Sequence, residues 1–255
     1  MSNAMTTINF PTTECSLFII EALPDEDVKT ARLDGSVLNQ QLNLTLKKPM
    51  YRFAKNKEEF KSSLSEFKRS GCRFLHVSCH GSASGGVFQL GCDKVNYAEL
   101  ATYFKGNVHN IRLTFSACYA GKGLLFREIV KQCGTSVHSI LGFRTKVDFD
   151  LASAFWISYY TVVTRLTNYR KGKNCDHIQS GGLAKIIEDI GVLYRLKLRF
   201  CYPHLVREEW YCCDEEFTPV PTHWRNQQNF KISCRCGKNL LAQRYVISRE
   251  KGTMR

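Results

Sequence analysis

Two short apolar runs constrain this chain more than any other feature: RFLHVSCHG at Arg73–Gly81 and IRLTFSACYAG at Ile111–Gly121. In the first, Leu75, Val77 and Cys79 alternate with Phe74, His76 and Ser78. In the second, Ile111, Leu113, Phe115 and Ala117 alternate with Arg112, Thr114 and Ser116. Both are short, carry β-branched and aromatic side chains, and are bounded by turn residues, so both read as buried strands. Each ends on a chemically able residue, His80 or Cys118, and runs into glycine at Gly81 or Gly121. Glycine allows a sharp turn and a close approach of a ligand to the backbone.

The same reading along the chain finds strands and helices in alternation. Cys15–Leu23, Met50–Ala54, Phe74–Cys79, a strand ending at Cys118, and Val137–Phe143 read as strands. A helix is expected within Asp25–Leu42, with Leu33, Val37 and Leu38 on one face. Asn56 caps the next, whose Phe60, Leu64 and Phe67 share a face. Further helices are expected over Leu100–Phe104, Leu124–Cys133 and Leu151–Leu166. Gly182–Leu198 is amphipathic, with Leu183, Ile186, Ile187, Ile190, Leu193 and Tyr194 on its core side. Val87–Leu90 and Lys94–Tyr97 suggest a small hairpin. Such alternation predicts an α/β fold, a mainly parallel sheet flanked by helices. Ligands of such sheets collect outside the carboxyl ends of the strands, where His80 and Cys118 fall.

A thiol beside an imidazole is a nucleophile with its base. Cysteine attacks as the thiolate, and an ordinary thiol with a pKa of about 8.5 needs help to ionise at neutral pH. His80 would accept the Cys118 proton and later protonate a leaving amine. Cys118 also precedes Leu124–Val130, whose helix N-terminus would favour an anion. The backbone N–H groups of Gly81 and Cys118 are the natural donors to an oxyanion. Cys72, Cys79, Cys92 and Cys133 read instead as small buried hydrophobes.

Val77-Ser78-Cys79-His80-Gly81 followed by Phe115-Ser116-Ala117-Cys118 resembles the caspase-like superfamily of cysteine peptidases, clan CD. That group includes gingipains, separases, metacaspases and the bacterial CHAT-domain proteases. The pentapeptide of true caspases is not matched, because Ser116 and Ala120 stand where Gln and Gly would be. The His–Cys spacing is also shorter than the roughly 50 residues of caspases. In both respects the chain looks more like the CHAT branch. Val147, Asp148, Phe155, Tyr159 and Tyr160 fall on positions of a CHAT-like Val-Asp element and the helix after it. The resemblance spans roughly residues 14–165 and implies a His80–Cys118 dyad that cleaves a protein or peptide substrate. In relatives with basic specificity an acidic residue in this region lines the P1 pocket, which marks Asp148 first and Asp150 second. Both would equally serve to begin a helix. By similarity to relatives activated by cutting a loop, Arg170, Lys171 and Lys173 in Asn168–Gly182 are processing sites if that loop is more than a connector. A regulated bacterial effector, awaiting an activating protein partner, is the biology the resemblance implies.

The division expected is a short N-terminal segment 1–13, a peptidase domain 14–198, and a basic, Cys-rich, β-rich extension 199–255. Met1-Ser2-Asn3-Ala4 before Met5 looks like an expression-vector remnant. With no signal peptide in view and 12 cysteines, the expectation is a reducing cytoplasm and free thiols. No apolar run nears the ~18–20 residues of a membrane span, and mean hydropathy is −0.26. The net charge of +13 is concentrated in Arg165–Lys173, Arg195–Arg199 and Arg225–Arg255. It reads as a solvated surface, with nucleic-acid binding as the competing use. Cys212, Cys213, Cys234 and Cys236 are the obvious set for a structural zinc, but their spacing misses the usual Cys-x₂₋₄-Cys. Strands at Ile232–Cys236 and Arg244–Ser248 are preferred there, and no cofactor is expected. The functional alternative to an enzyme is a catalytically silent adaptor, which the retention of both His80 and Cys118 argues against.

Overall fold

The computed structural model describes residues 17–44, 48–82, 86–168 and 180–201, and the strand segments 209–212, 216–219, 231–233 and 239–241. The main sheet holds β1 (Leu17–Ala22), β2 (Met50–Phe53), β3 (Phe74–Gly81), β6 (Ile111–Ser116), β7 (Val137–Phe143) and β8 (Leu198–Cys201). Their order is β2-β1-β3-β6-β7-β8, with every neighbouring pair parallel except the last. A hairpin of β4 (Val87–Leu90) and β5 (Asp93–Asn96) leaves the end of β3, pairing His80 with Gln89 and Gly81 with Phe88.

Strand alternation sends successive side chains to opposite faces. Phe18, Ile20, Leu75, Val77, Leu113 and Phe115 meet α3 (Lys57–Ser70), α4 (Tyr97–Phe104) and α5 (Gly123–Cys133). Leu17, Ile19, Phe74, Leu141 and Phe143 meet α2 (Asp34–Asn43), α6 (Phe149–Asn168) and α7 (Ser180–Leu193). Both faces are covered, so the α/β architecture read from the sequence is the one observed. α3 is set as its sequence predicts. The Asn56 side chain accepts a hydrogen bond from the Glu59 N–H at 2.9 Å, Phe60, Leu64 and Phe67 are buried, and Gly71 ends the helix at φ 72°.

Several expectations are corrected. The single helix expected in Asp25–Leu42 is two: α1 (Asp25–Lys29) stops at Thr30, Ala31 adopts φ 55°, and α2 restarts at Asp34. Leu38 and Leu42 then face the core and Val37 is exposed. The last amphipathic helix stops at Leu193 rather than Leu198, because Arg195 turns at φ 54° and the chain returns as β8 beside β7. Leu193 is therefore exposed rather than core. Cys92 is exposed, since it sits at the tip of the β4–β5 hairpin, whereas Cys72 and Cys79 are buried as expected.

In the C-terminal region β9 (Glu209–Cys212) pairs antiparallel with β10 (Glu216–Pro219), and β11 (Lys231–Ser233) with β12 (Asn239–Leu241). The strand expected at Ile232–Cys236 overlaps β11, and Arg244–Ser248 lies outside the described residues. β8 begins at the expected boundary of the extension yet belongs to the main sheet. Among the described residues no helix is long and apolar enough to cross a membrane.

Candidate active site

β3 and β6 are neighbours whose last register pair is Ser78↔Ser116. His80 lies two residues beyond Ser78 and Cys118 two beyond Ser116, so both sit at the same carboxyl edge of the sheet. β6 ends at Ser116, not at Cys118 as expected, and Cys118 occupies the turn that follows. The two segments touch through backbone. A Cβ built on Gly81 would lie 1.9 Å from the Cys118 carbonyl oxygen, so only glycine admits this approach.

The turn carrying Cys118 is fastened to the chain between β7 and α6. Tyr119 N–H donates to the Thr145 carbonyl at 3.2 Å, and Gly121 N–H to the Phe143 carbonyl at 2.7 Å. Gly121 packs on Gly142 so closely that a Cβ would lie 2.5 Å from the Gly142 carbonyl oxygen. Tyr119 takes φ 60°, a conformation unusual for a side-chain-bearing residue, and bends the chain directly after the thiol. The Cys118 Sγ contacts the backbone of Val147, accepting from its N–H at 3.4 Å and approaching its carbonyl at 3.5 Å. α5 begins only at Gly123, after the Lys122 cap, so the partners of the sulfur lie before α6 rather than at the α5 N-terminus.

His80 is gripped from a segment far away in sequence. Its Nε2 donates to Asp27 Oδ2 at 2.5 Å. The imidazole is 37% exposed, whereas the Asp27 side chain is 2% exposed, so the ring is reachable and its partner is not. Arg32 approaches the other carboxylate oxygen of Asp27 at 2.5 Å. Phe149, the first residue of α6, sets its ring edge-on to His80, centroids 5.7 Å apart, and Arg32 lies over the same ring at 5.4 Å.

Directly below, one register layer is polar across three strands: Glu21↔Ser78↔Ser116. Asp34, the first residue of α2, is hydrogen-bonded by both Ser78 and Ser116. Glu21 accepts from Gly35 N–H at 2.8 Å, Ser36 N–H at 3.0 Å and Tyr51 Oη–H at 2.7 Å. Burial, and then the nearby Asp34 charge, pushes Glu21 up to about 7. Burial raises Asp34 as well, so both carboxyls are held toward the protonated form. Among the described residues neither acid is paired with a cation. One layer deeper, His76 Nδ1 meets Thr114 Oγ1 at 3.1 Å, and burial lowers this imidazole to about 3. Cys79, on the opposite face, is pushed well up by burial, then by Asp34 and Cys118, and stays a thiol.

Of the other residues singled out from the sequence, Asp148 and Asp150 are exposed beside Val147. Asp148 stands just before α6, and its carbonyl accepts the Ala152 N–H at 2.9 Å, the capping position that a helix start would predict. Arg170, Lys171 and Lys173 lie outside the described residues. So do Cys213, Cys234 and Cys236, while Cys212 closes β9. Among the described residues no group of three or more His, Cys, Asp or Glu is gathered as for a metal ion. Sequence reasoning missed Asp27, Glu21 and Asp34. Asp27 is one of three consecutive acids, Asp25, Glu26 and Asp27, and nothing local says which of them turns inward.

No protein-family profile matches the chain, and no curated protein matches it in sequence. Among solved structures it is similar to a secreted C11 cysteine protease from Bacteroides thetaiotaomicron, bound to an irreversible peptide inhibitor. The identity is 7% and the TM-score 0.45, over 74% of this chain and 66% of that one. This chain thus spans just under two thirds of that protein's length. At those values the likeness assigns no family.

Proposed function

We propose that this chain is a cysteine peptidase of caspase-like type, with Cys118 as nucleophile and His80 as general base. The observation that carries the reading is the meeting of the two segments: Gly81, next to His80, is pressed on the Cys118 carbonyl, and the imidazole is held from its far nitrogen by a buried carboxylate. Because Nε2 is bonded to Asp27, Nδ1 is the nitrogen that takes part in chemistry.

The Sγ–H proton passes to His80 Nδ1, and the thiolate attacks the scissile carbonyl carbon. The C=O π electrons move to oxygen, which the N–H groups of Gly81 and Cys118 stabilise. Collapse breaks the C–N bond, and the Nδ1 proton goes to the leaving amine. Water then gives a proton back to Nδ1 as it attacks the thioester, and the expelled thiolate recovers that proton.

A basic P1 residue is the preferred substrate. Asp148 and Asp150 stand exposed beside Val147, whose backbone contacts the Cys118 Sγ, so negative charge lines the rim of the site. A CHAT-type regulated effector that awaits a protein activator fits the sequence resemblance and belongs to the same proposal.

The test is a peptide library scanning P1, incubated with the protein and with Cys118→Ala. The expected result is cleavage after Arg or Lys that vanishes in the variant. An electrophilic peptide probe with mass-spectrometric mapping should modify Cys118, in a Cys92→Ser background because Cys92 is an exposed thiol. A protein that neither cleaves nor reacts at Cys118 would sink the peptidase reading. Cleavage after uncharged residues alone would sink the basic pocket.

A further inference from the structure

We infer that Asp27 is the positioning residue of this site, a third member that holds His80 in the one tautomer able to accept the thiol proton. The inference rests on the peptidase reading. It begins from a carboxylate whose side chain is only 2% exposed. Burying a charged group is costly unless it is paired and hydrogen-bonded, so its partners indicate its use. One partner is His80 Nε2 at 2.5 Å. The other is Arg32, whose exposed guanidinium forms an ion pair with Oδ1 at 2.5 Å.

The local backbone is arranged around this residue. α1 has five residues, too few to be stable on its own. Asp27 N–H donates to the Pro24 carbonyl at 3.0 Å, and the Asp27 carbonyl accepts from Arg32 N–H at 2.9 Å. Ala31 takes φ 55° to bring Arg32 back over Asp27. Phe149 closes another side of the imidazole at 5.7 Å. The ring is therefore fixed in angle by an aromatic edge and in tautomer by a carboxylate.

A carboxylate only accepts, so the neutral ring must carry its proton on Nε2 and keep a lone pair on Nδ1. When Nδ1 takes the Cys118 proton, the imidazolium forms against an anion already in place. Asp27 itself exchanges no proton. This is the orienting role known from other nucleophile–base–acid sites, where loss of the acid with geometry retained lowers kcat by about 10⁴. A tie that merely fastened α1 to β3 would affect folding and leave the tautomer free.

The experiment reads the tautomer in the unaltered protein by nitrogen-15 NMR of the histidine rings, under conditions where His80 is neutral. Its signals are identified by their loss in His80→Gln. The expected spectrum has a protonated Nε2 and a lone-pair Nδ1. Alongside, Asp27→Asn is expected to lower kcat by about 10²-fold or more, with KM within about 2-fold and a near-native melt. A protonated Nδ1 in the unaltered protein overturns the inference. So does an Asp27→Asn protein whose kcat is within about 3-fold of the parent. If Asp27→Asn does not fold, the tautomer of the parent decides. If the parent neither cleaves nor reacts at Cys118, the peptidase reading has failed, and the spectrum still decides separately whether Asp27 fixes the ring.

Discussion

Gly81→Ala tests the contact on which the site depends. The added Cβ would lie 1.9 Å from the Cys118 carbonyl oxygen, 3.0 Å from its carbon and 3.3 Å from Phe88 Cε1. Ordinary contact between such atoms needs about 1.5 Å more than the shortest of these. Gly81 has no positive φ, so the cost is steric and not conformational. β3 cannot yield easily, because at this end it is paired with β1 on one side and with β4 at Gly81 itself. The Cys118 turn must therefore shift by on the order of 1 Å. Overpacking of this kind costs about 1–3 kcal/mol. A misplacement of that size at a reacting centre costs about 10²-fold in rate. The assay is the rate of Cys118 modification by an electrophilic peptide, with kcat/KM and a thermal melt measured on the same samples. Gly106→Ala is the control. Its φ is 73° with nothing within 4 Å, so it should lose about 1 kcal/mol and no reactivity. A Gly81→Ala protein with parental reactivity and parental melting would refute the packing of Gly81 on Cys118, and with it the juxtaposition of the two segments.

Two buried groups should oppose one another in the pH dependence of stability. Glu21 is raised from 4.5 to about 7 in the fold, so its contribution is full below 4.5 and is lost as pH rises toward 7, at about 1.4 kcal/mol per pH unit. His76 is lowered from 6.5 to about 3, so the unfolded chain takes up a proton that the fold refuses, and stability falls as pH drops from 6.5 toward 3 at a similar slope. Between about 4.5 and 6.5 the two should oppose one another in denaturant titrations of the parent, with Asp34, which burial also raises, adding to the Glu21 side. Glu21→Gln should expose the loss toward acid, His76→Gln the gain toward acid, and unchanged slopes in both would contradict the assignments. Asn56→Ala removes the side-chain cap of α3 and should cost about 1 kcal/mol in chemical unfolding. Thiol titration of the folded protein should find Cys92 reactive and Cys79 silent, since the first is exposed and the second is buried and pushed well up. Reactive Cys79 would mean that the layer beneath the site is open.

What could be read from residues alone was local. Period-two alternation located the strands that became β3 and β6, and a cap with i, i+4 and i+7 spacing located α3, because each is decided within a few residues. The same patterns put His80 and Cys118 at the carboxyl ends of neighbouring strands, since an alternating α/β chain has few ways to order its sheet. What escaped was non-local. No pattern in Asp25-Glu26-Asp27 marks the third acid, and its role appears only when α1 folds back on the end of β3. Glu21, Ser78 and Ser116 are unremarkable singly. They form one layer because parallel register sets them opposite one another, and Asp34 joins them because α2 starts above that layer. The end of α7 at Leu193, the antiparallel β8 beyond it and the exposure of Cys92 were likewise settled by pairing partners distant in the chain. Periodicity states which side of an element faces inward; only the packed structure states what that side meets.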